Sequence, residues 1–450
     1  MRARLLAAFL LVLLVSAGAA PAAAHTVMAG ADLRFAQTIA GTELTVVVKA
    51  TPRVPGPLRV GVLAYQRVAD LPVKLELRSV ADGRTVTGVA RAALEPRYAE
   101  LSVDRTGPHE LRLSAGGEVS VVPFRVLVER GSAGELLIYG GLLVAALLLV
   151  GGLLTGALSR PGPAMLLSGG AAVGLTVATL VIVFEPGMPP APPDGAAPVA
   201  TALPGGRPYA QGRVTTTPAR PGAGEEFTLR LDLVDGSTGR PVDDLAVHHE
   251  ALAHMVVTSE DGRFFRHVHP LRTAPGRLEV RLRADRAGRY LAYAELERQD
   301  AGGQLITGTF ALDGAPATQN AGDAPATPDP AAESGTSATA SGGGDAASSG
   351  PGVPRLWPAV PVAGRPTTID LDAAGPVRPW LGMAGHLIVR SQDGAFLGHV
   401  HEMGSTGPRL RFTFSFPAAG RYLAWTQYAT GDRIVTVPFT VDVSAQEAVR

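Results

Sequence analysis

Six of the ten histidines form two triplets with identical spacing. In each triplet a single histidine is followed later in the chain by a His-x-His pair. Neutral imidazole nitrogens are ligands that zinc and copper prefer, and two histidines separated by one strand residue project from the same face. The triplets therefore predict two transition-metal sites, with copper as the first candidate and zinc as the alternative. The predicted ligands are His254, His267 and His269 in the first site, and His386, His399 and His401 in the second.

The two triplets belong to a duplicated segment. Residues 254–269 read HMVVTSEDGRFFRHVH, and residues 386–401 read HLIVRSQDGAFLGHVH. Further along, AGRYLA occurs at 287–292 and again, at the same offset, at 419–424. Gap-free agreement over so long a stretch indicates that one domain was duplicated. The histidines are kept in both copies although most residues around them differ.

The spacing also predicts a geometry for each triplet. Both copies contain an Asp-Gly pair between two apolar runs, which is typical of a two-residue hairpin turn. Pairing outward from the first turn places His254 directly opposite His269, where cross-strand Cβ atoms lie about 5 Å apart. The second copy places His386 opposite His401 in the same way. We therefore expect three imidazoles on one face of each hairpin.

Four more residues are candidate ligands. Met403 continues the face of the second His-x-His pair, and Met383 precedes His386 by three residues. A thioether ligand would favour Cu(I) over zinc. The first copy has no methionine at these positions and instead carries His248 and His249 ahead of its triplet. The sequence thus predicts a first site rich in nitrogen and a second site with both nitrogen and sulfur.

Structural roles are the alternative for all of these residues. Histidines can be hydrogen-bonded in loops or cover a sheet edge, and methionine commonly packs in cores. His25 would chelate copper through its amino group and ring if it became the mature N-terminus, but no clear second histidine accompanies it. His109 occupies the place that Tyr290 holds in the repeat, at a sandwich corner, so we predict a structural role for it.

The composition excludes several kinds of site. The chain has no cysteine, which rules out disulfides, thiolate ligands and any copper site that needs a cysteine. Its formal net charge is zero, and its only lysines are Lys49 and Lys74, so no lysine-rich patch is available to bind nucleic acid. Any metal must therefore be held by His, Met, Asp or Glu.

The N-terminal half indicates export and attachment to a membrane. Residues 1–24 have the basic start, short apolar run and A-x-A cleavage site of a signal peptide. Residues 136–158 and 165–184 are each long and apolar enough for a transmembrane helix, and the loop between them is too short to hold a domain. We therefore expect a two-helix hairpin within 135–185 that leaves both flanking soluble parts on the extracytoplasmic side, periplasmic or extracellular.

Alternating apolar and polar runs separated by turn residues predict three β-sandwich domains of the Ig-like or cupredoxin-like kind. The predicted fold class is therefore mainly β with one transmembrane hairpin. Proline-rich residues 186–208 are predicted to form a semi-rigid tether, and residues 314–351 a disordered linker. The predicted sandwiches are an N-terminal domain at 25–132, a first histidine repeat at 209–313 and a second histidine repeat at 352–446.

The histidine-bearing segments resemble a group of secreted bacterial proteins. Segments 254–257, 265–270, 381–389 and 399–401, together with Phe396, are similar to the His-x-His modules of bacterial secreted or periplasmic β-sandwich proteins. The N-terminal domain resembles the small CopC- and YtkA-like periplasmic sandwiches. The resemblance implies copper handling and identifies no reaction. The copies differ directly after the last histidine, where Glu402 stands in place of Pro270, so their metal surroundings are expected to differ.

The predicted function is that of a membrane-anchored extracytoplasmic protein that binds a transition metal, as Cu(I) or Cu(II) or else as zinc, in storage, delivery or resistance. Its partners would be the membrane and a metal-donor or metal-acceptor protein, and not nucleic acid. One alternative is a non-catalytic interaction or scaffold protein with structural histidines. The other is a zinc or copper metalloenzyme, although only Glu250 and Glu402 lie near the histidines as candidate acid or base groups.

Overall fold

The computed structural model describes residues 30–129, 133–184, 187, 192–197, 209–299, 301–314, 338–339, 352–402, 404 and 407–446. The predicted signal peptide, most of the predicted linker and tether, His25 and Met403 lie outside these residues. Strands predominate in the described part of the chain, and two long apolar helices follow the first group of strands. The predicted fold class, mainly β with several sandwiches and a pair of apolar helices, is confirmed.

The regular elements form three groups of strands, with the helices after the first group. The first group comprises β1 (Leu33–Ile39), β2 (Thr42–Val48), β3 (Gly56–Ala64), β4 (Pro72–Ser79), β5 (Thr85–Arg91), β6 (Ala99–Val103), β7 (Gly107–Ala115) and β8 (Glu118–Val126). The helices are α1 (Ala133–Leu154) and α2 (Pro161–Phe184), with the 3-10 helix Ala157–Ser159 between them.

The second group comprises β9 (Ala210–Thr217), β10 (Glu226–Asp235), β11 (Leu245–Ala246), β12 (Ala253–Ser259), β13 (Phe265–Val268), β14 (Leu271–Ala274), β15 (Arg277–Arg283), β16 (Gly288–Arg298) and β17 (Gly302–Leu312). The third comprises β18 (Ala338–Thr339), β19 (Arg355–Trp357), β20 (Pro366–Asp372), β21 (Val377–Arg378), β22 (Gly385–Ser391), β23 (Leu397–Glu402), β24 (Arg409–Ser415), β25 (Gly420–Thr430) and β26 (Arg433–Val443).

Each group folds into two sheets that enclose an apolar core. The N-terminal domain has sheets ordered β1-β2-β3-β6 and β5-β4-β7-β8. The first histidine repeat, named repeat 1, has β14-β15-β10-β9 and β11-β16-β12-β13, with β17 added to β16. Repeat 2 has β19-β20-β24 and β26-β25-β22-β23, with β18 added to β26 and β21 to β25. Apolar residues that alternate along these strands fill the space between the paired sheets.

The central strand β12 is buried on both faces. Met255 and Val257 lie in the core of repeat 1, while His254, Val256 and Thr258 on the opposite face are also buried. An antiparallel sheet commonly leaves its second face to solvent. In this protein repeat 2 covers that face, so the predicted histidine face lies at an interface between domains.

The two repeats pack face to face through equivalent surfaces. Four apolar residues of each repeat meet there, and every one of them has its counterpart at the equivalent position of the other repeat. A contact between equivalent surfaces is what a two-fold axis produces between identical subunits. The duplicated domains therefore form an internal dimer with approximate two-fold symmetry. The contact residues are Val256, Phe265, Leu291 and Tyr293 of repeat 1, and Ile388, Leu397, Leu423 and Trp425 of repeat 2.

The N-terminal domain packs against repeat 1 beside its histidines. The backbone N–H of Ala36 donates to the carbonyl of Glu250, and that of Thr38 donates to the carbonyl of His269 at 2.8 Å. The N–H of His269 in turn donates to the Thr38 hydroxyl at 2.9 Å. Leu271 of repeat 1 joins the core of the N-terminal domain. All three sandwiches therefore meet around the histidines.

The helices α1 and α2 are long and apolar enough to cross a membrane. They lie against each other with their backbones in close approach at Gly141 and Gly174. A Cβ added at Gly141 would lie 2.5 Å from the carbonyl oxygen of Gly174, and the reverse distance is 2.6 Å. Glycines at this contact are what close packing of two membrane helices requires.

The helix bounds differ by a few residues from the predicted spans 136–158 and 165–184. The first helix ends earlier because Gly156 takes a left-handed φ of 67°, a conformation that commonly terminates helices. The second begins earlier because Pro161 is well suited to the first position of a helix.

Part of the predicted tether lies along the N-terminal domain. Asp194 and Val128 exchange backbone hydrogen bonds of 2.9 and 3.2 Å. Arg125 donates to the carbonyl of Gly195 at 2.6 Å. These described tether residues therefore return the chain from α2 to the N-terminal sandwich.

Candidate metal centre

Each histidine triplet converges on one hairpin face. In repeat 2, β22 pairs with β23 so that His386 lies opposite His401, as predicted. In repeat 1, the ladder between β12 and β13 has the predicted register and ends one residue before His254 and His269. One ligand nitrogen from each histidine lies within 4.8 Å of the others in its triplet. We name the triplets triad 1 (His254, His267 and His269) and triad 2 (His386, His399 and His401).

Two of the three outward-pointing nitrogens of triad 1 face hydrogen-bond acceptors, and the third lies beside a carboxylate. His254 Nε2 lies 3.1 Å from a backbone carbonyl oxygen, and His267 Nδ1 lies 2.9 Å from Gln427 Oε1. His269 Nδ1 lies 2.6 Å from a carboxylate oxygen of Glu43. The two atoms form an ion-pair contact and not a hydrogen bond, because the angle at the ring N–H is unfavourable. An acceptor beside one ring nitrogen holds the proton there and leaves a lone pair on the other nitrogen.

In triad 1 the inner nitrogens of His254 and His267 therefore carry lone pairs, and the inner nitrogen of His269 faces them. His254 Nδ1 lies 3.3 Å from His267 Nε2 and 3.0 Å from His269 Nε2. Burial, and after it the neighbouring imidazoles, lowers the pKa of His254 and His267 well below 6.5, so neither ring takes up a second proton at neutral pH. Facing lone pairs repel, whereas nitrogens bound at about 2.0–2.1 Å to one tetrahedral ion stand about 3.3 Å apart. The donor set thus fits one transition-metal ion.

Triad 2 is built in the same way, with one difference. His386 Nε2 lies 3.2 Å from the carbonyl oxygen of Trp380, and His399 Nδ1 lies 2.6 Å from Glu295 Oε2. The nitrogens that face each other, His386 Nδ1 and His399 Nε2, are 3.2 Å apart and carry lone pairs. Nε2 of His401 is buried without a hydrogen-bond partner in the described part of the chain. Burial, followed by the neighbouring imidazoles, lowers the pKa of His401 to about 3, which keeps this ring neutral.

The two triads form one cluster. Ring centroids lie 4.8 to 5.5 Å apart within triad 1 and 4.5 to 5.4 Å apart within triad 2. Between the triads, His399 lies 5.1 Å from His267 and 5.6 Å from His254, and His386 lies 5.8 Å from His267. We expected separate sites on domains joined by a flexible linker. The face-to-face packing of the repeats instead brings six imidazoles together.

Each repeat supplies a polar partner to the triad of the other. Gln427 of repeat 2 contacts His267, and Glu295 of repeat 1 contacts His399. Glu295 and Gln427 hold equivalent positions, so the exchange follows from the two-fold arrangement. The neutral Gln427 is oriented by its own amide, which donates to a threonine. Triad 1 obtains its carboxylate from Glu43 of the N-terminal domain, so each triad has one carboxylate beside it.

His248 and His249 lie beside triad 2. The His249 ring is 4.2 Å from His401 and 6.4 Å from His254, and the His248 ring is 3.8 Å from His249. We expected these histidines to enrich the first site, but the two-fold packing places this loop of repeat 1 over the triad of repeat 2. Burial, with a smaller contribution from His248, lowers the pKa of His249 to about 4, so its ring is neutral at neutral pH.

The remaining predicted residues are the two candidate methionine ligands and His109. Met383 is buried in the loop before β22, where its backbone pairs with Trp380. Met403 lies outside the described residues, so a thioether ligand stays a prediction for both methionines. His109 is buried, and its Nδ1 lies 3.0 Å from a backbone carbonyl oxygen, which confirms its predicted structural role.

Sequence reasoning missed the polar partners of the histidines, Glu43, Glu295 and Gln427. Each lies in a different domain from the histidine it contacts, so local sequence could not reveal them. It also missed Trp380, whose ring lies 4.9 Å from His386. One indication was available, because Glu295 and Gln427 are polar residues at equivalent positions of strands that are otherwise largely apolar.

Comparison with known sequences supports the duplication. The family described as "Domain of unknown function (DUF8832)" matches residues 210–314 and 356–445, and these segments are the two repeats. No curated protein matches the chain. The predicted likeness to CopC- and YtkA-like copper-handling proteins therefore stays a prediction.

Solved structures match the chain only at low TM-scores. The chain is similar to a tetra-tandem repeat in the extending region of a large adhesion protein, at 10% identity and a TM-score of 0.19, over 92% of this chain and 74% of that one. It is similar to the Escherichia coli adhesin FdeC at 9% identity and a TM-score of 0.18, over 93% and 98%. It is also similar to the FN1-FN3 domains of chicken CNTN1 at 9% identity and a TM-score of 0.16, over 91% and 97%. Scores this low carry no argument about fold or function.

Proposed function

We propose that this protein is a membrane-anchored extracytoplasmic metal-binding protein whose six clustered imidazoles hold two transition-metal ions. One observation carries the proposal. The outer nitrogens of four histidines face hydrogen-bond acceptors and that of His269 lies beside a carboxylate, so the inner nitrogens, which face each other at 3.0 to 3.3 Å, are available to an ion. Histidines that only hold a structure together have no reason to converge their lone pairs, because facing lone pairs repel until a cation binds them.

Charge balance favours Cu(I) as the ion. An all-imidazole donor set suits both copper and zinc, but the two ions would lie close together in a buried cluster. Two monovalent ions repel each other about one quarter as strongly as two divalent ions at the same separation. The two carboxylates beside the triads, Glu43 and Glu295, balance the charge of two Cu(I) ions and only half the charge of two Zn(II) ions.

The surroundings of the cluster favour retention of the ions. Three sandwich domains enclose triad 1, and its three histidines are buried. The two apolar helices would keep the cluster near a membrane. These features suit storage of copper, or its slow delivery to an acceptor protein at the membrane surface.

An interaction or scaffold protein is the second candidate function, and one observation favours it. His267, His269 and His399 each contact a side chain of another domain, so the histidines also join the three sandwiches. In such a protein the histidines would be structural, and binding of a protein partner would not depend on metal.

Metal titration of the full-length protein in detergent distinguishes the two functions. Chelator-stripped protein is titrated with Cu(I), Cu(II) and Zn(II), and compared with a variant in which His386, His399 and His401 are replaced by alanine. The control variant is His109→Gln, which leaves the cluster intact. Two Cu(I) ions in the wild type and the control, with fewer in the triple variant, support the proposal. Equal and weak binding by all three proteins contradicts it and favours the scaffold.

A further inference from the structure

One turn of each repeat lies against both triads. In repeat 1, His248 and Ala251 exchange backbone hydrogen bonds of 2.8 and 3.0 Å across the turn. In repeat 2, Trp380 and Met383 do the same at the same distances. The two central residues of each turn have positive φ values. The turns are therefore equivalent in sequence position and in backbone conformation.

The side chains of the two turns have opposite character. In repeat 2 the turn presents Trp380 and Leu381, which are 1% and 0% exposed. The Trp380 ring lies 4.9 Å from His386, 5.8 Å from His267 and 6.4 Å from His269, so this turn closes its side of the cluster with large buried side chains. In repeat 1 the equivalent positions hold two histidines, and the side chain of His248 is 49% exposed.

Solvent reaches the cluster on the side of triad 2. The histidines of triad 1 are buried, and Glu43 and Thr38 of the N-terminal domain cover His269. In triad 2, His401 is partly exposed, and the turn of repeat 1 lies beside it. Among the described residues, the imidazoles of this turn therefore stand between solvent and the ligands.

The rings form a continuous series from solvent to triad 1. The ring of His248 lies 3.8 Å from that of His249, which lies 4.2 Å from that of His401. From His401 to His399 the distance is 4.5 Å, and from His399 to His267 it is 5.1 Å. Each ring thus lies close enough to the next for an ion to exchange one imidazole ligand for another without passing through apolar protein.

The turn that carries His249 has a backbone conformation that residues other than glycine and asparagine rarely adopt. His249 and Glu250 have φ values of 46° and 61°, and a turn of this kind favours Asn-Gly at these positions. The N-terminal domain holds the turn, because Arg34 Nε lies 2.7 Å from Glu250 Oε1 and the N–H of Ala36 donates to the Glu250 carbonyl. Non-glycine residues held in such conformations cluster at functional sites.

We infer that His248 and His249 form the access route by which a transition-metal ion enters and leaves the cluster. His248 receives the ion at the surface, and His249 passes it to His401 and so to triad 2, from which it reaches triad 1. Each step exchanges one metal–nitrogen bond for another, with no change in oxidation state. The inference rests on the proposed metal binding and adds its route.

Loading kinetics test the route. Chelator-stripped full-length protein in detergent is mixed with Cu(II) in a stopped-flow instrument, and the d–d absorption of the bound ion is followed. The variant carries His248→Gln and His249→Asn, because asparagine tolerates the positive φ of the turn. We expect loading to slow about tenfold, a change of the size that single sites produce in association rates, with the amount of Cu(II) bound at saturation unchanged. His109→Gln, outside the cluster, should load at the wild-type rate.

The outcomes separate this inference from the proposed function. An unchanged loading rate in the variant would overturn the route and leave metal binding standing. Loss of bound Cu(II) at saturation would overturn it too, because the two histidines would then be a storage site. Absence of Cu(I), Cu(II) and Zn(II) binding by the wild type would overturn the proposed function and the route together. If the wild type takes up Cu(I) but not Cu(II), loading is followed with Cu(I) delivered from a chromophoric chelator, and the same outcomes apply. If the variant does not fold, brief diethyl pyrocarbonate treatment of the wild type, mapped to His248 by mass spectrometry, must slow loading in the same way or the route is wrong.

Discussion

His399 Nδ1 and Glu295 Oε2 lie 2.6 Å apart although they belong to different repeats. The equivalent contact in the other direction, between His267 and Gln427, is 2.9 Å long. Neither triad would therefore have its full surroundings in an isolated repeat. Duplication of the domain has produced a candidate site whose histidines are positioned by the interface between the two copies.

Replacing Glu295 by glutamine should weaken binding of the ion at triad 2 about tenfold, because partners of ligand histidines tune affinity by about 10–100-fold. A neutral amide accepts the hydrogen bond from His399 Nδ1 less strongly than a carboxylate does. The matched variant is Gln427→Glu, which gives His267 a carboxylate partner and should tighten triad 1. Competition with a chelator of known affinity measures both effects. Equal affinities in the wild type and in Glu295→Gln would show that Glu295 only joins the two repeats.

The hairpin geometry could be predicted because a two-residue Asp-Gly turn fixes the register of both strands. The pairing of His386 with His401 followed from counting outward from that turn. The packing of the repeats was not predicted, although β12 and β22 carry Val256 and Ile388 on the histidine face, which indicates a strand buried on both sides. The contact of Glu43 with His269 could not be predicted, since it depends on how a separate domain docks.

Two Cu(II) ions loaded into the cluster should be magnetically coupled. Rings of opposite triads come within 5.1 Å at His267 and His399, so ions bound by these rings would be close neighbours. We expect a dipolar-broadened EPR spectrum with a half-field transition. His401→Ala, which removes a ligand from triad 2 alone, should give the unbroadened spectrum of one Cu(II). An unbroadened spectrum from doubly loaded wild-type protein would contradict a shared cluster.

Trp425→Ala should destabilise the contact between the repeats and weaken the binding of both metal ions. Trp425 stacks on Phe265 with ring centroids 4.6 Å apart and ring planes 14° apart. Removing a buried aromatic side chain costs about 3–5 kcal/mol. The control is Trp357→Ala in the same repeat, because Trp357 is 52% exposed and its loss should change the unfolding free energy little. Thermal unfolding without Cu(I) measures the loss of stability, and the change in unfolding temperature on adding Cu(I) measures the loss of metal binding. Equal effects of the two substitutions would argue against a stabilising interface.

Asp370 should make repeat 2 sensitive to acid. Its buried carboxylate accepts hydrogen bonds from Arg409 and Arg411, and the bond from Arg411 lowers its pKa below 3.8. A carboxyl group with a lower pKa in the folded state stabilises the fold above its unfolded pKa, and that stability is lost as the pH falls through the folded value. Asp370→Asn should therefore lower the unfolding free energy by about 2 kcal/mol at pH 7 and by less at pH 3. Asp442→Asn, at an exposed ion pair with Arg421, is the control and should have little effect at either pH.

The helix hairpin should depend on Gly141 and not on its neighbour Gly140. A Cβ at Gly141 would lie 2.5 Å from the carbonyl oxygen of Gly174, whereas a Cβ at Gly140 would meet nothing within 4 Å. Gly141→Val should therefore force the helices apart at a cost of about 1–3 kcal/mol, while Gly140→Val should leave the packing unchanged. Unfolding of the helices in detergent, followed by circular dichroism, compares the two variants. Equal losses in both would show that the effect comes from valine in a helix and not from the close approach of α1 and α2.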